Sequence, residues 1–361
     1  MRRPQDITRS LPAPGEHGGD GAALARVLGV AVEEILDLSA SMNPFAPDPS
    51  VVVGRHLGAL GRYPDPTRAR LALARTMDVD PDCLVLTNGG SQAIAVVAEE
   101  LGRGWAEEAD FALYRRHLGV MDRSGPQFRS NPNNPTGALA PPGATAGVWD
   151  EAFWPLATGT WTRGDVSTGA IVVGSLTKLL SCPGLRLGYI LAPHAGLARC
   201  LAHRLAQWSV NSLACEALPE MLDGVDLDVW AAGITRLREA MVHELRSRKM
   251  AVRDSMANYL LVDGVPGLRL RLAPHGIMVR DCASFGLAGS ARLAVTGPDG
   301  LARLVAALDA SEATEPAAPV DGAPPAAPVD GAPPVDPVEA LGGPAEVATP
   351  IEVADATGVI A

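Results

Sequence analysis

Between about residue 15 and residue 310, short apolar runs bounded by turn residues alternate with amphipathic helical stretches. That alternation implies an α/β fold, a mostly parallel sheet flanked by helices. Cys83–Thr87, Ala170–Gly174 and Leu187–Ala192 read as buried strands, and the first leads through an Asn-Gly-Gly turn into a helix over Ser91–Leu101. Further on, strands over Ala257–Val262, Gly276–Arg280 and Ala291–Val295, with a closing helix over Asp299–Leu308, make a smaller α+β domain. The Ala-, Leu-, Arg- and Glu-rich stretch Val229–Met250 predicts a helix bridging the two.

The domain plan is therefore a flexible arm over 1–14, a segment 15–42 packing with the small domain, a large domain 43–215 shortened around 117–149, and a small domain 216–310. A tail follows from 311, where Ala318–Pro325 returns unchanged as Ala327–Pro334. A Pro-rich, aromatic-free tract buries too little apolar surface to offset its ordering entropy, so 311–361 is expected to be disordered.

Composition removes several function classes. A net charge of -11 argues against a surface that neutralises many phosphates, so no nucleic-acid partner is expected. The five cysteines lack CxxC spacing and read as reduced thiols, with no metal site. No stretch reaches the ~18 apolar residues of a membrane span, and the polar N-terminus is unlike a signal peptide. The expectation is a cytoplasmic protein without a membrane partner.

The chemistry concentrates in Gly174-Ser-Leu-Thr-Lys178-Leu-Leu-Ser-Cys-Pro-Gly-Leu-Arg186-Leu-Gly-Tyr189. Apolar walls disfavour the ammonium form of Lys178 and prepare it as an amine nucleophile toward an aldehyde. The Ser175 and Thr177 hydroxyls and the Arg186 guanidinium suit a phosphate monoester. This loop resembles that of the fold-type I pyridoxal-phosphate family, the class I/II aminotransferases, and the likeness runs in order through most of residues 15–308. The resemblance implies that pyridoxal 5'-phosphate is carried as a Schiff base on Lys178. Thr87-Asn-Gly-Gly-Ser-Gln-Ala-Ile94 is similar to the family's phosphate cup, with Gly90, Ser91 and Gln92 at the binding positions. Phe111 falls where an aromatic ring covers the pyridine face. Asn131-Pro-Asn-Asn-Pro-Thr-Gly137 resembles the NPTG signature, implying that Asn134 donates to the pyridine 3-oxygen. Asp150-Glu-Ala-Phe153 resembles the motif whose aspartate pairs with the pyridine nitrogen, and Phe153 stands where many relatives have tyrosine. Tyr63, in Arg62-Tyr-Pro-Asp65, matches a residue reaching the cofactor phosphate of a neighbouring subunit, which implies a homodimer.

Substrate contacts implied in the same way are His17, Asn43, Asn258, Arg280 and Arg292. Bidentate pairing of guanidinium with carboxylate or phosphate gives the two arginines their chemical reason. His17-Gly-Gly-Asp20 and Glu34–Pro44 bring the likeness nearest to threonine-phosphate decarboxylases, then to histidinol-phosphate aminotransferases. A small phosphorylated amino-acid substrate is implied. Decarboxylation and transamination need the same residues and stay open as alternatives.

The chain also departs from the family pattern. It is shorter from Phe111 to Asn131 and from Gly137 to Asp150, and Gln127–Ser130 is too polar for a buried parallel strand. Ala146–Trp149 matches poorly the apolar run expected before Asp150, and Ala138–Thr145 is unsuited to helix. A truncated sheet is therefore expected, with a cofactor-binding or interaction protein of impaired catalysis as the alternative to an active enzyme.

Overall fold

The structure is a computed structural model describing residues 10, 11, 13 and 17–312. Most of the expected arm over 1–14, and the expected tail apart from its first two residues, lie outside the described residues. Residues 311 and 312 end the closing helix, Pro298–Glu312.

In chain order the strands are β1 (Leu36–Asp37), β2 (Leu84–Asn88), β3 (Arg103–Gly104), β4 (Val120–Met121), β5 (Phe128–Ser130), β6 (Val148–Asp150), β7 (Ile171–Ser175) and β8 (Leu187–Leu191). They continue with β9 (Ala251–Val252), β10 (Tyr259–Asp263), β11 (Ile277–Met278), β12 (Arg280–Asp281) and β13 (Ala291–Ala294). The main sheet runs β2-β8-β7-β6-β5. Strands β5, β6 and β7 are parallel, whereas β8 is antiparallel to both its neighbours. Beyond β5, a parallel bridge between Trp105 and Gln127 carries hydrogen bonding on toward the β3–β4 pair.

Alternation along each strand supplies two apolar faces. Val85, Phe128, Val148, Ile171, Val173 and Ile190 pack with Ala93, Ile94 and Val97 of the helix Gly89–Leu101. Leu84, Leu86, Trp149, Val172, Leu187 and Leu191 face the other way, against the helices Thr67–Met77 and Ser212–Asp223. The helix Gly89–Leu101 ends at Gly102, whose φ of 68° is a conformation that glycine adopts without a side-chain penalty.

Two expectations about the shortened region are corrected. Phe128–Ser130 and Val148–Asp150 are both strands of the central sheet, paired in register. The polar β5 is tolerated because its side chains have partners. Phe128 is fully buried, the Ser130 hydroxyl donates to Asp110, and the Arg129 guanidinium lies 5.5 Å from the Trp149 ring centroid. Residues 138–147 form no helix, as expected. In its place Ala140, Ala144 and Ala146 pack on the core that contains Trp149, and Arg163 lies over the Trp149 ring at 4.8 Å while donating to the Ala144 carbonyl. Small side chains thus cover this face without a helix.

The smaller layer is an antiparallel sheet, β12-β13-β10-β9. The run expected as one strand over Gly276–Arg280 is split: β11 pairs with β1 of the N-terminal segment, and β12 pairs with β13. Leu38 lies in the apolar cluster of this layer, and Leu24 packs against Ala273 and Met278. The expected boundary at 215/216 is corrected, because it cuts the helix Ser212–Asp223, whose Ala214, Ala217 and Leu218 belong to the large core. The passage between cores occurs inside Leu227–Ser247, where Trp230 and Ile234 pack with the large core and Met241 and Leu245 with the small one.

Candidate functional site

The C-terminal ends of β2 and β7, and the start of β8, converge on one point. Gly89, at φ 76°, opens the helix after β2, and a Cβ on it would stand 2.7 Å from Arg186 Nη2. A Cβ on Gly90 would meet the Ser175 side chain at 3.3 Å, and one on Gly188 would stand 2.4 Å from Gly89 C. At Gly188 only bare backbone permits this approach. Helix N–H groups, the Ser175 hydroxyl and the Arg186 guanidinium therefore share a small space at a helix N-terminus, where an anion is favoured. The Gln92 side-chain Oε1 accepts the Asn88 N–H at 2.7 Å, and Ser91 lies in the first turn of the same helix. Thr177 is placed differently: its buried hydroxyl donates to the Leu187 carbonyl at 3.2 Å.

Lys178 stands on the short helix Leu176–Leu179 and is half-buried. Burial first, then the fields of Arg292 and Arg186, lower its amine from 10.5 to about 8, with Asp37 pulling the other way. Asn43, expected as a substrate contact, is instead spent on this helix. Its N–H donates to the Lys178 carbonyl at 3.0 Å, its Nδ2 to the Leu179 carbonyl at 2.9 Å, and its own carbonyl accepts the Ser181 hydroxyl.

Asp150 ends β6 and is buried, which raises its carboxyl. The Ala152 N–H at 3.0 Å and the Tyr114 hydroxyl at 2.8 Å favour the anion against that cost. The Phe111 ring meets Tyr114 edge-on at 5.8 Å and His17 at 5.7 Å, so the N-terminal histidine is brought to the aromatic residue of the site. His17 is held there by its neighbours: the Gly19 N–H donates to Ser39 Oγ, the Gly21 N–H to Asp37 Oδ2, and Asp20 pairs with Arg269.

Asn134 Oδ1 accepts from Arg292 Nη1, and Arg292 Nη2 donates to the Ser39 carbonyl at 3.1 Å. Arg292 lies 4.8 Å from the Tyr259 ring centroid, and its buried Nε has no hydrogen-bond partner. Arg280 is also buried; burial and Arg292 lower it to about 10, and it donates to Ser284 Oγ. Asn258 donates to the Ser41 carbonyl, leaving its buried Oδ1 without a partner. Tyr63 is set apart, 78% exposed and stacked on Trp208 at 4.4 Å.

Tyr114, Asp110, Ser130 and Tyr259 were missed by the sequence reading. Tyr114 lies only three residues after Phe111, in the short helix Leu113–His117; the others become visible only through partners distant in sequence.

The donor set has the chemistry of one cofactor. A half-buried amine of lowered basicity suits an aldehyde, a buried carboxylate suits a protonated ring nitrogen, and a glycine-walled helix end with serine and arginine suits a phosphate. With the buried, unpartnered Arg292 Nε beside them, the residues present fit pyridoxal 5'-phosphate. The fold and this site define a fold-type I enzyme using that cofactor. The aminotransferase class I and II family matches residues 128–308, half of the chain, and the protein belongs to it.

Its relatives divide between two reactions. It is 28% identical to threonine-phosphate decarboxylase of Salmonella typhimurium, over 74% of this chain and 88% of that protein. It is 27% identical to histidinol-phosphate aminotransferase of Symbiobacterium thermophilum, over 78% and 92%. The fold is shared with the histidinol-phosphate aminotransferase of Sinorhizobium meliloti, solved with pyridoxal 5'-phosphate, at a TM-score of 0.68 and 20% identity, covering 86% of this chain and 98% of that one. Among the described residues no helix is long and apolar enough to cross a membrane, and no cluster of metal-binding side chains occurs.

Proposed function

We propose that this enzyme decarboxylates L-threonine O-3-phosphate, giving carbon dioxide and (R)-1-aminopropan-2-yl phosphate. The observation carrying this reading is the pair of buried guanidinium groups, Arg280 and Arg292, opposite each other on β12 and β13, together with His17 against the Phe111 ring. Two guanidinium groups beside the site suit a substrate bearing both a carboxylate and a phosphate. The Salmonella relative supports the choice of reaction by its name.

Pyridoxal 5'-phosphate supplies the electron sink for the pair left at Cα when the carboxylate departs. Lys178 would hold the cofactor's aldehyde carbon and then, displaced by substrate, deliver a proton to Cα. An amine titrating at about 8 can exchange protons near neutral pH. Asp150 would keep the ring nitrogen protonated, Asn134 would meet the ring oxygen, and Phe111 would lie against the ring face. Gly90, Ser91, Ser175 and Arg186 would receive the phosphate. Asn43 and Asn258 position backbone around this group.

The active unit is proposed to be a homodimer. Tyr63 and Trp208 stack on each other and are exposed, as are Val51, Leu57 and Leu60 earlier in the chain, and a second copy covering Tyr63 would receive it at its own phosphate cup. Sedimentation of wild type against Trp208→Glu reads this directly: a monomeric wild type would refute it.

The reaction is tested by adding L-threonine O-3-phosphate to the cofactor-loaded enzyme and following carbon dioxide and keto-acid-dependent amine transfer in parallel. Carbon dioxide without a keto acceptor, absent in Lys178→Ala, supports the decarboxylase. Amine transfer without carbon dioxide assigns the enzyme to the histidinol-phosphate aminotransferase type.

A further inference from the structure

Asp110 is a carboxylate, 2% exposed, that none of the roles above employs. Its Oδ1 accepts the Ser130 hydroxyl and the Phe111 N–H, and its Oδ2 accepts the Ser130 N–H at 3.2 Å. Ser130 Oγ, with its proton committed to Asp110, accepts the Asn134 N–H at 2.8 Å. The Tyr114 phenol, which donates to Asp150, also lies beside Ser130 and within the field of Asp110. Ser130 and Asp150 are register partners on β5 and β6, so the string occupies one end of the sheet. Asp110 thus touches, directly or through one hydroxyl, both Phe111 and Asn134.

We propose that Asp110 is a positioning residue of the cofactor site, acting through Ser130 on Asn134 and directly on the Phe111 backbone. The inference rests on the reading of Phe111 and Asn134 as cofactor contacts. Its physical basis is the polarity of a hydroxyl, which has one proton to give and lone pairs to accept with. Burial lifts the Asp110 carboxyl to about 7, and in its ionised form it only accepts, drawing that proton and turning the Ser130 oxygen toward the Asn134 N–H. An amide at position 110 can instead donate to Ser130, which frees the serine proton to point at the Asn134 N–H and opposes two donors. The fault is one of polarity at unchanged volume.

The test uses full-length protein stripped of cofactor and measures the dissociation constant of pyridoxal 5'-phosphate by fluorescence quenching. Wild type is compared with Asp110→Asn, Ser130→Ala, Ser130→Thr and the double variant Asp110→Asn/Ser130→Ala. At a pH of about 8 or above, where Asp110 is mostly ionised, about tenfold weaker binding is expected for each of Asp110→Asn and Ser130→Ala, in line with the cost of disrupting a buried charged hydrogen bond. Ser130→Thr, which keeps a hydroxyl, should restore most of the affinity. The double variant should bind no more weakly than the worse single, because both changes interrupt one string. Multiplying effects, or variants that bind as wild type does, overturn the proposal. If circular dichroism finds Asp110→Asn unfolded, the Ser130 pair decides: loss in alanine and recovery in threonine support it, and no loss in alanine overturns it. A wild type that binds no cofactor would defeat the cofactor reading itself, an outcome separate from equal binding across the series.

Discussion

Arg280 and Arg292 are register partners on adjacent antiparallel strands, and both guanidinium groups are buried. Two cations directly across a ladder repel, and each carries the cost of leaving water. Arg292 finds Asn134, the Ser39 carbonyl and the Tyr259 face, and Arg280 finds Ser284 and the Phe285 ring at 5.5 Å. No acidic side chain is bonded to either of them among the described residues, so an anionic substrate group is the natural complement. Arg280→Met should raise KM for a phosphorylated amino acid by about tenfold or more, from the loss of a charge-assisted hydrogen bond. Cofactor affinity should stay within about twofold. Equal losses in both would show that Arg280 supports the whole site instead of the substrate.

Lys178 should capture cofactor over an unusual pH range. Its amine is lowered to about 8, so the reactive free base is already plentiful there, whereas an ordinary lysine needs pH above 10. Stopped-flow mixing of cofactor-free protein with pyridoxal 5'-phosphate should give a rate that rises through pH 8 and then levels. A rate still climbing at pH 10 would contradict the lowered amine.

Tyr114→Phe removes the hydroxyl that Asp150 Oδ2 accepts, leaving a buried carboxylate with one donor fewer. The Asp150 carboxyl should rise further, and stability should fall by roughly 1–3 kcal/mol. Urea unfolding of cofactor-free protein at neutral pH checks the loss, and unchanged stability would mean that water replaces the phenol.

Glu151 is buried, and burial raises it from 4.5 to about 7, while the Arg163 N–H donates to its Oε1. A carboxyl raised on folding contributes stability that is fully present below about pH 4.5 and is lost as pH rises through about 7. Glu151→Gln cannot ionise, so between pH 5 and pH 8 it should lose less stability than wild type, by at most about 3 kcal/mol. Parallel stability-pH curves for the two proteins would show that Glu151 keeps its charge.

Gly188→Ala would put a methyl 2.4 Å from Gly89 C and 2.6 Å from Gly90 N, both backbone atoms of the proposed phosphate cup. Backbone cannot rotate away as a side chain can, so β8 and the helix start must separate. Cofactor binding should weaken by about tenfold or more while circular dichroism stays native. Wild-type affinity would show that the cup is more yielding than its geometry implies.

The amino-acid sequence by itself determined the α/β class, the main strands, and the residue types at Lys178, Asp150, Asn134 and Arg186. Those features are local: period-2 apolar runs, glycine turns, and motifs in which the chemistry of a few adjacent side chains is constrained. It misjudged β5 and β6 because a three-residue strand has too few positions to display a period, and the polarity of Ser130 and Arg129 is compensated by Asp110 and Trp149, which are remote in the chain. It assigned Asn43 and Thr177 to ligands because it showed their chemistry but not their partners, the carbonyls of Leu179 and Leu187. The tertiary structure alone decided that alanines cover the Trp149 core without a helix, that Arg280 faces Arg292, and that Asp110 is tied through Ser130 to Asn134. Each is a matter of which polar group meets which across the fold, and desolvation fixes that only once the chain has closed around them.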